Sequence, residues 1–225
     1  NGTGQFQGTE PIRGFGAVAG VYEEACQIVV RADSEISTVE ELEGHRVSIG
    51  EEESGTKQNA LQILAAYGLN EKLVEEVSLN YTEAAKELEN GSIDAFFCTA
   101  GAQTAAIANL AQRTGIRFLN VDGAAAARLK KSYPVYDSCI IAAGTYPGQE
   151  EDVSTVGVKA VLLASDSVSA EVVEELTALL FEEQQELDFA LPVELITDAD
   201  AAADGISVPF HKGAERYYES RGEKS

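Results

Sequence analysis

Three small residues, Ser54-Gly55-Thr56, carry the clearest chemistry in this sequence. They follow Arg46-Val47-Ser48-Ile49-Gly50, which predicts a short buried strand, and they precede a helical pattern of Leu61, Leu64 and Ala65 closed by Gly68. A strand that turns through hydroxyl-bearing residues into a helix leaves backbone N–H groups unpaired at the positive end of the helix dipole. Such a terminus can hold a carboxylate or another small anion, with the Ser54 and Thr56 hydroxyls as further charge-assisted donors. Ser and Thr also cap helices with no ligand present, and at this point both readings stand. Thr99-Ala100-Gly101-Ala102 repeats the arrangement after a second apolar run, which adds Thr99 and Gly101 to the candidate ligand contacts. Tyr22 and Tyr146 are candidates to cover the apolar part of a ligand. Either could instead be part-buried with its hydroxyl on a backbone group.

The other reactive side chains point nowhere so specific. Cys26, Cys98 and Cys139 lack metal-type spacing and sit in apolar, strand-like surroundings, which predicts free buried thiols. His45 and His211 have no second ligand at helical spacing, so neither a metal nor another cofactor is expected. With 16 basic against 38 acidic residues and a net charge of -22, the chain would repel nucleic acid and anionic lipid, and neither is an expected partner. There is no apolar run long enough to span a membrane, so no direct membrane insertion is expected of this chain. It also lacks methionine altogether, which predicts a processed or shortened product whose signal peptide is no longer attached.

The elements that must position these residues alternate along the chain. Strands are predicted at 27–32, 46–50, 77–80, 93–98, 116–121 and 138–143, with helices at 37–41, 54–68, 83–89, 104–113 and 124–131. Ser37 and Glu40 stand at capping-box spacing. Strands and helices in alternation predict an α/β sheet with parallel pairing, whose ligands gather at the carboxyl ends of the strands. Residues 1–20 read as an aperiodic surface segment. The acidic turn Glu150-Glu151-Asp152 reads as a linker, followed by a β-rich run at 153–164. Residues 169–187 form the clearest amphipathic helix, with Val172, Val173, Leu176, Leu179, Leu180 and Leu187 on its apolar side and Glu174, Glu175, Glu182, Glu183 and Glu186 on its solvated side.

Taken in order, several of these segments resemble the TAXI family of solute-binding proteins, the extracytoplasmic receptors of TRAP-type secondary transporters. The matching stretches are Asn1-Gly2-Thr3-Gly4, Ile28-Val29-Val30, Leu42-Glu43-Gly44-His45-Arg46-Val47, Gly50 with Ser54-Gly55-Thr56, and Gly91-Ser92-Ile93-Asp94-Ala95-Phe96-Phe97. They continue through Ala143-Gly144-Thr145-Tyr146 with Gln149, Asp152 to Gly157, and end on Pro209-Phe210-His211-Lys212-Gly213-Ala214-Glu215-Arg216-Tyr217-Tyr218. The resemblance implies a two-lobed periplasmic-binding-protein type II-like fold. One lobe would run over 36–150 and the other over 1–35 and 151–225, with hinge strands near Val29 to Asp33 and Ala142 to Thr155. It also implies a receptor, not an enzyme, which binds a small carboxylate or amino acid such as glutamate or glutamine and delivers it to membrane TRAP transporter subunits. Family members open with a further segment ahead of Asn1-Gly2-Thr3-Gly4, so the first lobe is expected to be incomplete here.

Glu51-Glu52-Glu53 departs from the family, which has smaller or uncharged residues there. An inward carboxylate would oppose a bare dianion and favour a ligand that carries an amine, by about 1 to 4 kcal/mol at about 4 Å. Exposed, the same carboxylates would only stabilise the helix terminus. Two other functions compete: a ligand-sensing module of a regulator or receptor on the same fold, and an α/β hydrolase-like enzyme with Ser54 as nucleophile. The second lacks the first glycine of a Gly-x-Ser-x-Gly elbow, since Glu52 stands there.

Overall fold

The computed structural model describes residues 8, 10, 12–182 and 193–222. The chain forms two compact units, one of residues 24–158 and a discontinuous one of residues 1–23 with 159–225. The resemblance to the TAXI family implies boundaries at 35/36 and 150/151.

The continuous unit is built on a mixed α/β sheet. Its strands are β1 (Phe15–Arg31), β2 (Arg46–Ser48), β3 (Glu75–Val77), β4 (Ala95–Ala100), β5 (Ile116–Phe118), β6 (Tyr136–Ile141) and β7 (Val153–Ser165), and its helices are α1 (Gly55–Ala66), α2 (Tyr81–Glu89), α3 (Ala105–Arg113) and α4 (Gly123–Ser132). The strand order is β3-β2-β4-β1-β7-β6, with β5 also paired to β1. The expectation of parallel pairing holds only for β2, which lies parallel to β3 and β4. Those strands are joined through α1 and α2, and parallel neighbours need such crossovers. β1 pairs antiparallel with β4 and β5. β6 and β7 are joined by a helix-free turn and also pair antiparallel.

Alternation along β1 feeds two cores. Ile28 and Val30 face the layer of Val47, Ile63, Leu64 and Leu129, while Val29 faces Phe96, Leu88, Ile107 and Leu110. Both faces of the sheet are therefore covered, which is why Gln27 to Val30 reads as a continuous buried run. The helix starts follow side-chain caps: Ser54 at α1, and Asn80 with Glu83 in a full capping box at α2. The expected Ser37/Glu40 capping box does not form. A short 3₁₀ turn, Glu40–Leu42, stands there instead, and Glu41 accepts the Ser37 amide at 2.6 Å and the Thr38 amide at 3.2 Å.

The discontinuous unit contains the first half of β1, the second half of β7, and helices α5 (Ala170–Glu182), α6 (Ala199–Ala203) and α7 (Lys212–Gly222). Here the sequence misled. The stretch Gly16 to Gly20, read as surface, is strand, and Ala17, Val18 and Ala19 are buried. Its small residues hide the periodicity, and they are small because other chain runs against them: a Cβ on Gly16 would lie 2.5 Å from the His211 backbone nitrogen. α5 and α7 cross at Gly213, where a Cβ would lie 2.3 Å from the Ala170 carbonyl oxygen. On α5 the core-facing residues are Val173 and Thr177, whereas Val172, Leu176 and Leu179 from the expected apolar side are exposed. Leu187, Glu183, Glu186 and Asn1-Gly2-Thr3-Gly4 lie outside the described residues.

Candidate functional site

The turn between β2 and α1 is tightly specified. Gly50 has φ +95°, and a Cβ there would sit 2.9 Å from Thr56 Cβ, so the turn requires glycine. Glu53 also takes a left-handed conformation, φ 61°, just ahead of the cap. Ser54 Oγ accepts the Lys57 amide at 3.1 Å and donates to the Glu51 carbonyl at 2.7 Å. The Gly55 and Thr56 amides, the first two of the helix, have no hydrogen-bond partner among the described residues.

Thr56 leads into a buried polar network. Its Oγ1 lies 2.6 Å from Tyr81 Oη, and Tyr81 donates to the Thr99 carbonyl at 2.9 Å. A phenol has one hydrogen, so Thr56 is the donor in the first of these contacts. Asn59 Nδ2 donates to Thr99 Oγ1 at 3.2 Å, and Tyr136 Oη shares its one hydrogen between Gln62 Oε1 at 2.7 Å and Asn59 Oδ1 at 3.0 Å. Thr99 Oγ1 donates to Cys26 Sγ at 3.6 Å. This corrects one part of the sequence reading: the Ser54 and Thr56 hydroxyls have each given their proton to the protein, and only the amides remain to donate to an anion. Burial pushes the Tyr81 phenol up to about 12, despite its hydrogen bonds.

The acidic run faces outward. Glu52 holds Lys57 Nζ at 2.6 Å and the Ser78 hydroxyl at 2.7 Å, and these contacts keep its carboxyl below the ordinary range. Glu51 and Glu53 are exposed. The run therefore stabilises the terminus and places no carboxylate against the Gly55 and Thr56 amides.

The second turn brings Thr99 beside α1 through the contacts just described, and Gly101 lies two residues further along the turn. Gln103 is left-handed, φ 66°, again immediately ahead of a helix cap. Thr104 Oγ1 donates to the Gly101 carbonyl at 2.9 Å, and the Thr104 amide donates to Tyr146 Oη at 3.0 Å. For Tyr146 the structure shows the second of its two readings, burial with the hydroxyl on a backbone group. It is 1% exposed, stacks on Phe118 at 5.3 Å and donates to Gln27 Oε1 at 2.6 Å, so it caps α3 from within the core. Tyr22 belongs to the discontinuous unit, where it bridges to Leu195.

Asn59, Tyr81, Gln27 and Thr104 were missed as parts of this network. A signal existed for Asn59, a polar residue on the same helical face as Thr56 and Ile63. Nucleophilic chemistry finds little purchase. Ser54 Oγ touches only backbone groups, His45 Nδ1 lies 3.2 Å from Asp94, and His211 Nδ1 accepts the Gly213 amide at 3.2 Å at the start of α7. Burial pushes the Cys26 and Cys98 thiols up to about 12, away from the reactive thiolate. A groove of about 430 Å³ beside Tyr67, Asp122 and Arg128 and another of about 500 Å³ beside Arg31, His45 and Asp94 lie elsewhere in this unit, away from the carboxyl ends of β2 and β4.

Comparison with known proteins adds a family. Among solved structures, the chain is similar to the periplasmic aliphatic sulphonate binding protein SsuA from Escherichia coli at 18% identity and a TM-score of 0.46, covering 92% of this chain and 65% of that one. For the putative periplasmic sulfonate-binding protein SsuA from Methylobacillus flagellatus KT the values are 13%, 0.49, 91% and 59%. For an ancestral arginine-binding protein bound to glutamine they are 17%, 0.40, 90% and 63%. The chain thus spans under two thirds of the length of the structures it matches. The model of the NMT1-like family matches residues 1–222, end to end, and the chain belongs to that family.

Proposed function

We propose that this chain is the solute-receptor component of a membrane transporter, of the TAXI type that serves TRAP transporters, and that it works outside the cytoplasm. Its ligand is a small carboxylate, a glutamate- or glutamine-like amino acid or an organic acid. The ligand carboxylate is received by the Gly55 and Thr56 amides, with Thr99 and Gly101 alongside. In this reading the lobes divide near residues 35/36 and 150/151.

The observation that carries the proposal is the pair of amides, without a partner among the described residues, at the start of a 12-residue helix held at the carboxyl end of a buried parallel strand. The end-to-end order of the segments that resemble the TAXI family supports the same reading. The test is calorimetric titration with glutamate, glutamine and C4 to C6 dicarboxylates, repeated on Gly55→Pro. Proline suits the first position of a helix and removes only that N–H. Ser54 is already extended, ψ 154°, as a residue before proline must be, and a Cβ at position 55 meets nothing within 4 Å. The variant should fold normally and bind the best ligand about tenfold or more weakly, the loss expected for one charge-assisted hydrogen bond. Unchanged affinity would remove the seat from this helix, and turnover of the ligand would replace the receptor by an enzyme.

A further inference from the structure

The acidic run at residues 51–53 faces away from the Gly55 and Thr56 amides, but β1 brings another carboxylate to the same end of the sheet. β1 pairs with β4 through Ala25↔Ala100 and Cys26↔Thr99, so Glu24, one residue earlier, stands across from Gly101, just past the last paired residue. That is the carboxyl end of β4, where the turn of Thr99 and Gly101 lies.

The pleat decides which face Glu24 takes. Cys26, Ile28 and Val30 lie in the core layer beneath α1 with Ala95 and Phe97, whereas Ala25 and Val29 lie in the opposite layer with Phe96 and Cys98. Side chains two apart along a strand share a face, so Glu24 stands on the α1 side with Cys26 and Thr99, the side from which Asn59 of α1 reaches Thr99. Gly101, across from it, has no side chain to fill that position. Glu24 is half-buried, and its charge is felt across the network. Burial is the main reason that Cys26, Tyr81 and Cys98 are raised, and the negative charge of Glu24 adds to it at all three. Tyr81 is the residue on which the Thr56 hydroxyl proton lies.

We propose that Glu24 selects the ligand: it receives an ammonium group on the molecule whose carboxylate rests on the Gly55 and Thr56 amides, so the solute is an amino acid and not a bare organic acid. The assignment rests on that seat. A half-buried carboxylate at the same end of the sheet as an anion seat repels an incoming anion, and repels a dicarboxylate more. A zwitterion presents its ammonium to Glu24 and its carboxylate to the amides, so the charge that rejects one ligand class holds the other. Removal of that charge therefore acts in opposite directions on the two classes. The amino acid loses an ion pair, and the organic acid is relieved of a repulsion.

The test is calorimetric titration of the intact protein with matched pairs, glutamate against glutarate and glutamine against glutaramate, which differ only by the α-ammonium. The parent should bind the better amino acid at least about tenfold more tightly than its counterpart. Glu24→Gln, equal in size, should bring that ratio to about threefold or less by weakening the amino acid. Glu24→Asp keeps the charge and should keep part of the preference, which a mere loss of packing would not do. The proposal falls if the parent binds neither amino acid, if an acid without the ammonium binds as tightly as its partner, or if Glu24→Gln leaves the ratio unchanged. Gly55→Pro separates this from the seat, because it should weaken both members of a pair alike. An ineffective Glu24→Gln beside a weakened Gly55→Pro removes Glu24 alone. Unchanged affinity in Gly55→Pro with a collapsed ratio in Glu24→Gln removes the seat and keeps the ammonium contact.

Discussion

At the scale of single residues, the site depends on which hydrogens are already committed. Thr56 looked like a ligand contact through its hydroxyl, but that proton lies on Tyr81, so Thr56→Val should act mainly on stability. It strips a donor from the buried Tyr81–Thr99 chain, at a cost of about 1–3 kcal/mol in chemical denaturation, while the backbone amide persists. A variant as stable as the parent would mean the Thr56–Tyr81 contact is not formed in solution. The thiols give a second test. Cys26 and Cys98 are buried and pushed up to about 12, whereas Cys139 is only part-buried. Iodoacetamide at pH 8 should therefore modify Cys139 first in the folded chain, and labelling of Cys26 or Cys98 ahead of it would contradict the packing described.

At the scale of elements, the crossing of α5 and α7 has no slack. Gly213→Ala places a methyl 2.3 Å from the Ala170 carbonyl oxygen and should destabilise the chain by about 1–3 kcal/mol. Unaltered thermal unfolding would show that the two helices do not meet as described. Tyr81 adds a pH dependence. Its phenol is raised by burial from 10.0 to about 12, so the folded chain favours the neutral form. That contribution to stability is complete below pH 10 and is lost as the pH rises from 10 towards 12. Tyr81→Phe should lessen the alkaline loss.

Local chemistry made much of this scale legible. The stretch Arg46 to Gly68 could be read because apolar run, glycine, hydroxyl cap and helical spacing all agree there. Thr104 to Arg113 came out nearly as α3 does. Gly16 to Gly20 could not be read, since its small residues answer to His211, nearly two hundred positions away. Nor could the two readings of Tyr146 be separated, because its place in the core depends on Gln27 and Phe118. Local pattern finds the seat, but which hydroxyls remain free is decided by contacts distant in sequence.

At the scale of the whole molecule, the account joins a family, a fold and a seat. The chain belongs to the NMT1-like family, its continuous unit is an α/β sheet covered on both faces, and the turns after β2 and β4 converge on one buried network. The central claim is that the start of α1 receives a carboxylate. The most direct measurement is a ¹H–¹⁵N titration with glutamate, reading the Gly55 and Thr56 amides. The account predicts that these two protons move downfield in step with ligand occupancy and further than any other amide in α1. Saturable binding that leaves both unmoved while other amides shift would contradict it.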